Sequence, residues 1–273
     1  MTYKLLAADM DGTLLDGKKK ISEKNIDMIN FALERGKEVV FCTGRCLSEL
    51  NEFFPLFPKM RYVLMESGAC IYDLQEKRIL YQQCMEEAAI EATLNYVRKK
   101  DVMIQVLADG LSYLPEWAME SLDKFYLPAY VNHFRKTATF VPDTYRLCRE
   151  SGWHAEKICI YHTSPEERQK SLYFVREEKL HLTTAFSEKT SLEITPVGVD
   201  KGAALQRICS LAGFTIDEAI AIGDGMNDET VLRTAGLPVA VANADPKIRE
   251  ICQEIVSTNE DSGVAEAIER FLL

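Results

Sequence analysis

The chain has 273 residues, 47% of them hydrophobic and 27% charged, with a formal net charge of −10. That length suits one large domain or two modest ones. The acidic balance argues against non-specific binding to nucleic acid or an anionic membrane, and no apolar run is long enough to span a bilayer.

The N-terminus leads almost directly into "YKLLAAD", an apolar strand, with no basic segment, apolar segment and cleavage site in order. A cytoplasmic location is therefore expected. "SEKNIDMINFALERG" follows, with Ile26, Ile29, Ala32 and Leu33 at helical spacing, Ser22 as N-cap and Gly36 as the stop. "KEVVFCTG" is a second strand, "CLSELNEFF" a short helix ended by Pro55, and "RYVLMES" a third strand. Apolar strands separated by helices predict a parallel sheet covered on both faces.

From about Gln82 to Glu188 the grammar changes, with more aromatic residues and longer polar connections. "EEAAIEATLNYVRKK" is an amphipathic helix and "DVMIQVLAD" a strand. "SPEERQKSLYFVREE" is a helix with Ser164 as N-cap, Pro165 at its first position and Glu167 completing a capping box. Strand-like "EKICIY" precedes it and "HLTTAF" follows, while residues 116–152 show no clear period. The aromatic residues Tyr113, Trp117, Phe125, Tyr126, Tyr130 and Phe134 are read as this module's own core rather than as a substrate lining. The C-terminal third returns to alternation. Helix "DKGAALQRICSLAG", strand "EAIAIGD", helix "MNDETVLRTAG", strand "LPVAVAN", a short helix from Pro246, the edge "EIVST" and a last helix "GVAEAIERFLL" follow one another. The expected fold is α/β: a doubly wound, Rossmann-like parallel sheet in residues 1–82 and 190–273, with an α+β cap inserted at 83–189.

The eight cysteines contain no CxxC pair and read as reduced, mostly buried thiols. A zinc site gains little support from their spacing. His133, His154, His162 and His181 form no ligand pattern and read as surface or packed imidazoles.

In an open parallel sheet, sites form beyond the carboxyl ends of the strands. Four polar stretches fall there or at adjoining helix starts: Asp9-Met10-Asp11-Gly12-Thr13, Thr43-Gly44-Arg45, Asp200-Lys201-Gly202, and Gly223 through Asp228. Each alone reads as a turn or a cap. Together they pose an electrostatic problem. If Asp9, Asp11, Asp224 and Asp228 converge, each pair at about 4 Å costs about 4 kcal/mol at an effective dielectric near 20. One lysine is too little. A hard divalent cation fits an all-oxygen ligand set, and Mg²⁺ fits best because it keeps positions for water and substrate phosphate. Thr43, Gly44 and Lys201 supply a hydroxyl, an accessible backbone N–H and an ammonium suited to a phosphoryl group. A carboxylate can attack phosphorus, and a second can manage the leaving group's proton.

These stretches, in this order, resemble the haloacid dehalogenase superfamily of phosphatases: "DMDGTLLD", "FCTGR", "VDKG" and "IGDGMND". "SLEITPVGVDKGAAL" and "STNEDSGVAEAI" resemble its Cof-type branch, which carries a class II α/β cap. The resemblance implies a phosphatase of small phosphorylated metabolites, such as sugar phosphates, working through an aspartyl phosphate. It makes Asp9 the nucleophile and Asp11 the general acid/base. Thr43, Gly44, Lys201 and Asn227 would bind phosphate. Mg²⁺ would be held by Asp9, the Asp11 backbone carbonyl and Asp224, with Asp228 supporting its water shell. Arg45 and Asn243 are candidate substrate contacts, beside the blander roles of surface pairing and capping. A monomer or weak homodimer is expected, without nucleic-acid or membrane partners. The sequence departs from the branch at Ser67-Gly68, where Asn-Gly is common, and at "VANAD", where Gly commonly precedes the Asn. Two other readings remain open: a phosphomutase, and a non-turnover module that holds phosphate as signalling receivers do. Asp16 reads as a turn residue.

Overall fold

The computed structural model describes residues 2–152 and 154–273. In chain order its strands are β1 (Leu5–Ala8), β2 (Glu38–Cys42), β3 (Tyr62–Met65), β4 (Cys70–Asp73), β5 (Arg78–Gln82), β6 (Val102–Ala108), β7 (Leu111–Pro115), β8 (Ala138–Val141), β9 (Lys157–His162), β10 (Leu182–Ala185), β11 (Ser191–Pro196), β12 (Ala219–Gly223), β13 (Leu237–Val241) and β14 (Glu254–Val256). Its α-helices are α1 (Glu23–Glu34), α2 (Leu47–Leu50), α3 (Glu87–Val97), α4 (Val131–Thr137), α5 (Thr144–Glu150), α6 (Pro165–Glu177), α7 (Lys201–Ala212), α8 (Glu229–Thr234), α9 (Pro246–Ile251) and α10 (Gly263–Ala267). Among the described residues, no helix is long and apolar enough to cross a membrane.

The chain divides into two compact units. The first comprises residues up to Gly44, Glu52–Gln82 and Asp200–Leu273, and the second Arg45–Asn51 and Gln83–Val199. The first unit holds one sheet in the order β14-β13-β12-β1-β2-β3-β4-β5. Pairing is parallel from β14 to β3 and antiparallel through β4 and β5. Strands β1, β12 and β13 are buried along their whole length, as continuous apolar runs in a covered parallel sheet require. α1 packs on β2, α7 on β3, and α8 and α9 on β13. From β1 the chain winds outward through β2 and β3, and later from β12 through β13 to β14. The order therefore reverses between β1 and β12, and doubly wound sheets open a crevice at such a switch point.

Local signals explain the helix ends. The Ser22 hydroxyl accepts from Asn25 N–H to start α1, and Gly36 follows its end at φ 75°. Asp200 caps α7 by accepting from Ala203 N–H. Ser164 caps α6 with Pro165 at its first position. The Glu167 carboxylate pairs with Lys170.

The second unit holds a sheet in the order β10-β11-β9-β6-β7-β8, antiparallel except for the β7–β8 pair. Alternation along β6 feeds two cores. Ile104 and Val106 join Ile90, Leu94 and Leu172 on one face, and Met103 joins Phe125 and Phe134 on the other. The stretch 116–152 resolves into three short 3₁₀ turns, then α4, β8 and α5. Of its aromatic residues, Phe125 and Phe134 are core, Tyr113 and Tyr130 pack against the two cores, and Trp117 and Tyr126 stay exposed. The return to the first unit falls at Asp200 rather than at 190, because β11 pairs with both β9 and β10. Residues 45–51, expected in the core, pack with the second unit.

Candidate active site

The carboxyl ends of β1 and β12 flank the switch point, and the acidic stretches follow them directly. Asp9 continues the pairing of β1, its N–H donating to Ile222 O at 3.0 Å, and its side chain is buried. Lys201, at the first turn of α7 and also buried, reaches across. Its Nζ donates to Asp9 Oδ1 and to Asp228 Oδ1, both at 2.6 Å. The other oxygen of Asp228 accepts from the N–H groups of Asp224 and Gly225, each at 3.1 Å. Asp228 therefore ties down both the lysine and the loop after β12. Asp224 Oδ1 accepts from the Thr13 hydroxyl at 2.9 Å.

Backbone conformation makes the convergence possible. Gly12 has φ +88°, and a Cβ there would lie 2.4 Å from Asp224 Oδ2. Only glycine both adopts that conformation readily and leaves the carboxylate its place.

Charges dominate the result. Burial, Asp228 and Asp224 push the Asp9 carboxyl well above the usual carboxylate range, against the pull of Lys201. Burial and Asp228 raise Asp224 to about 6, against Thr13 and Lys201. Burial works to lower Lys201, but Asp228 and Asp9 outweigh it and hold the ammonium charged. The three aspartates bring carboxylate oxygens within 4.8 Å of one another. One ammonium among two buried carboxylates and the half-buried Asp224 is outnumbered by acidic groups. The donors are all oxygen, which suits a hard divalent cation. Asp9 and Asp224 are the carboxylates with an oxygen not engaged by Lys201 or Thr13 in these bonds. They would hold such an ion.

The remaining candidates fall in several places. Asp11 is part-exposed, its carboxylate pairing with Lys19 Nζ at 2.7 Å; nothing in the run "KKK" distinguishes that lysine. Thr43 is buried at the end of β2, its N–H donating to Leu64 O and its carbonyl accepting from Ser67 N–H, both at 3.0 Å. Gly44 follows it, half-buried. Asn227 is half-buried on the 3₁₀ turn Met226–Asp228. Asn243 Nδ2 donates to Gly12 O at 2.8 Å, and its Oδ1 accepts from Asn259 N–H at 2.9 Å. Its amide is thus committed to bracing the loop after β1. Arg45 is buried in the second unit, where its charge acts on Glu49. Asp16 accepts from the N–H groups of Lys18 and Lys20, as a turn residue does.

A buried polar network in the second unit has no sequence signature. Gln105 Nε2 donates to Glu49 Oε1 at 3.2 Å and to Ser112 Oγ at 2.8 Å, and its Oε1 accepts from Tyr161 Oη at 2.7 Å. His133 Nε2 lies 3.4 Å from Glu49 Oε1. Burial pushes the Glu49 carboxyl up, but His133, Arg45 and the Cys46 N–H outweigh it and leave it below the usual range.

Comparison with known proteins agrees with this architecture over the whole chain. A phosphatase of Bacillus subtilis named for 5-amino-6-(5-phospho-D-ribitylamino)uracil is 28% identical, over 99% of this chain and 96% of that protein. An HMP-PP phosphatase of Klebsiella pneumoniae is 29% identical, over 90% of this chain and 86% of its own. The solved structure of a haloacid dehalogenase-like hydrolase from B. subtilis superposes with a TM-score of 0.89 at 24% identity, covering 98% of this chain and all of that one. The sequence profile of the haloacid dehalogenase-like hydrolases matches residues 6–268. With that match spanning both units and the acidic switch point of the sheet, the chain belongs to the haloacid dehalogenase-like hydrolase family.

Proposed function

We propose that the chain is a Mg²⁺-dependent phosphatase that hydrolyses phosphomonoesters of small metabolites through an aspartyl phosphate on Asp9. The observation that carries this reading is the Lys201 ammonium, held 2.6 Å from Asp9 among Asp224 and Asp228 at the switch point of the sheet. Relatives named as phosphatases of a ribitylamino-uracil phosphate and of HMP-PP support a small phosphorylated metabolite as substrate.

Lys201 favours the ionised form of Asp9 against burial and the neighbouring aspartates, and aims one of its oxygens, leaving the other to attack phosphorus. The Asp9–phosphorus bond forms as the bond to the leaving alkoxide breaks. Asp11, turned from Lys19 and carrying a proton taken up from solvent, gives that proton to the alkoxide. It then takes a proton from the water that attacks the aspartyl phosphate, which restores Asp9 and releases phosphate. The Thr43 hydroxyl, the Gly44 N–H, Asn227 and Lys201 hold the transferring group through these steps. The carboxylates of Asp9 and Asp224 and the Asp11 carbonyl would hold Mg²⁺, which would supply the positive charge that lets a carboxylate approach a phosphate dianion.

The test is phosphate release from a panel of phosphomonoesters, sugar phosphates among them. Turnover is expected with Mg²⁺, its loss after thorough chelation, and recovery when Mg²⁺ is returned. Undiminished turnover in the chelated protein would overturn the metal requirement.

A further inference from the structure

The second unit brings together a thiol, an imidazole and two carboxylates that the phosphatase reading leaves unused. Cys84 lies just before α3, Asp109 in the turn between β6 and β7, and His154 and Glu156 in the segment leading into β9. Cys84 Sγ is 3.6 Å from His154 Nδ1 and 3.7 Å from its Nε2. It is 3.7 Å from Glu156 Oε1. His154 Nε2 is 3.5 Å from Glu156 Oε1 and 3.2 Å from Asp109 Oδ1. Glu156 is wholly buried, whereas Cys84 and His154 are partly exposed.

The separations among Cys84 Sγ, His154 Nε2 and Glu156 Oε1, 3.5–3.7 Å, lie close to the edges of one face of a small tetrahedron. With Zn–S about 2.3 Å and Zn–N or Zn–O about 2.0–2.1 Å, tetrahedral ligand atoms stand about 3.3–3.6 Å apart. A thiolate, an imidazole and a carboxylate form a borderline-soft donor set, unlike the all-oxygen set of Asp9, Asp224 and Asp228, and select zinc over magnesium. The backbone already brackets the position. Met85 N–H donates to Ala155 O at 3.0 Å, Glu156 N–H to Leu107 O at 3.1 Å, and Asp109 N–H to Glu156 Oε2 at 3.1 Å. The last bond orients Glu156, as outer contacts orient metal ligands generally. A cavity of about 250 Å³ bordered by Asp109, Tyr113 and His154 lies beside the cluster.

We propose that Cys84, His154 and Glu156 form a site for Zn²⁺ or a similar transition-metal dication, its fourth position taken by water. Binding displaces the Cys84 thiol proton to solvent and leaves a thiolate–metal bond. The ion fastens two separate segments of the second unit and stabilises it by mass action.

The experiment titrates Co²⁺, then Zn²⁺, into the chelator-treated, reduced, full-length protein. The wild type should develop a thiolate-to-cobalt charge-transfer absorption that saturates at one equivalent and that Zn²⁺ abolishes by displacement. Oxygen ligands, including those around Asp9, give no such band. Cys84→Ser should lose the band, and His154→Ala should weaken cobalt affinity at least about 100-fold, beyond the usual loss from an outer contact. Cys252→Ser, which alters the other half-buried thiol, should retain both. A wild type without the band at saturating Co²⁺ would overturn the site. So would a band that survives Cys84→Ser, one lost in Cys252→Ser, or an affinity unchanged in His154→Ala.

Discussion

Lys201 is the residue on which the candidate active site balances. Its ammonium bonds two buried carboxylates at once, so removing it strands both. Lys201→Met is expected to cost about 3–5 kcal/mol, the usual penalty for breaking a buried ion pair from one side. Urea unfolding near neutral pH checks this through a lower midpoint at unchanged slope; a midpoint equal to wild type would contradict it. A second buried group sets a pH dependence. His162 Nδ1–H donates to the Thr190 carbonyl, which only accepts, so in the neutral ring Nε2 accepts from the Ser171 hydroxyl. Burial lowers this imidazole below its ordinary 6.5, helped by Lys100 and Arg168 and opposed by the Thr190 bond. The unfolded chain therefore takes up the proton at a higher pH than the folded one. The stability tied to the neutral ring is fully present above 6.5 and is lost as pH falls toward the folded value, with a limiting slope of about 1.4 kcal/mol per pH unit. Denaturant unfolding from about pH 7.5 to about pH 5.5 should show wild type losing stability that His162→Gln does not lose. Parallel curves for the two proteins would contradict the assignment.

At the scale of elements, the loop after β3 positions the helix that carries Lys201. Glu66, Ser67 and Gly68 follow one another at φ 54°, 58° and 103°, a costly run for residues with side chains. The strain is held by Ser67 N–H donating to the Thr43 carbonyl. It lets Gly68 lie against the N-cap of α7, where a Cβ would stand 2.3 Å from Asp200 O. Gly68→Ala should therefore displace the start of α7, lowering stability by about 3 kcal/mol and turnover with it. Unfolding and phosphate-release assays that both match wild type would contradict this. What the sequence conveyed about these elements follows from local chemistry. Apolar runs marked β1, β12 and β13, and the abrupt Asp, Gly and Thr clusters after them marked the strand ends. Periodicity could not assign 116–152, because 3₁₀ turns of three to five residues are too short to show a period. Nor could it tell which sheet β11 joins, since an apolar strand reads alike in either. The Cys84–His154–Glu156 cluster was illegible for another reason: about seventy residues separate the thiol from its partners, and only the hairpin of β6 and β7 and its pairing with β9 bring them together.

At the scale of the molecule, two units divide the chemistry. The first concentrates acidic groups at the switch point of a parallel sheet, where the proposed cation would balance them. The second is built on a mixed sheet with its own two cores and carries the soft-donor cluster. Asp9 and Asp11, two carboxylates at the end of a buried strand, are an electrostatic liability in any account that gives them no reaction. Comparison of Mg²⁺-supported phosphomonoester hydrolysis by wild type and Asp9→Asn bears on that point most directly. The substitution keeps the side chain's shape and removes the attacking charge, so kcat should fall at least about 10³-fold while the protein stays folded. Equal turnover by the two proteins would contradict the assignment of Asp9 as the nucleophile.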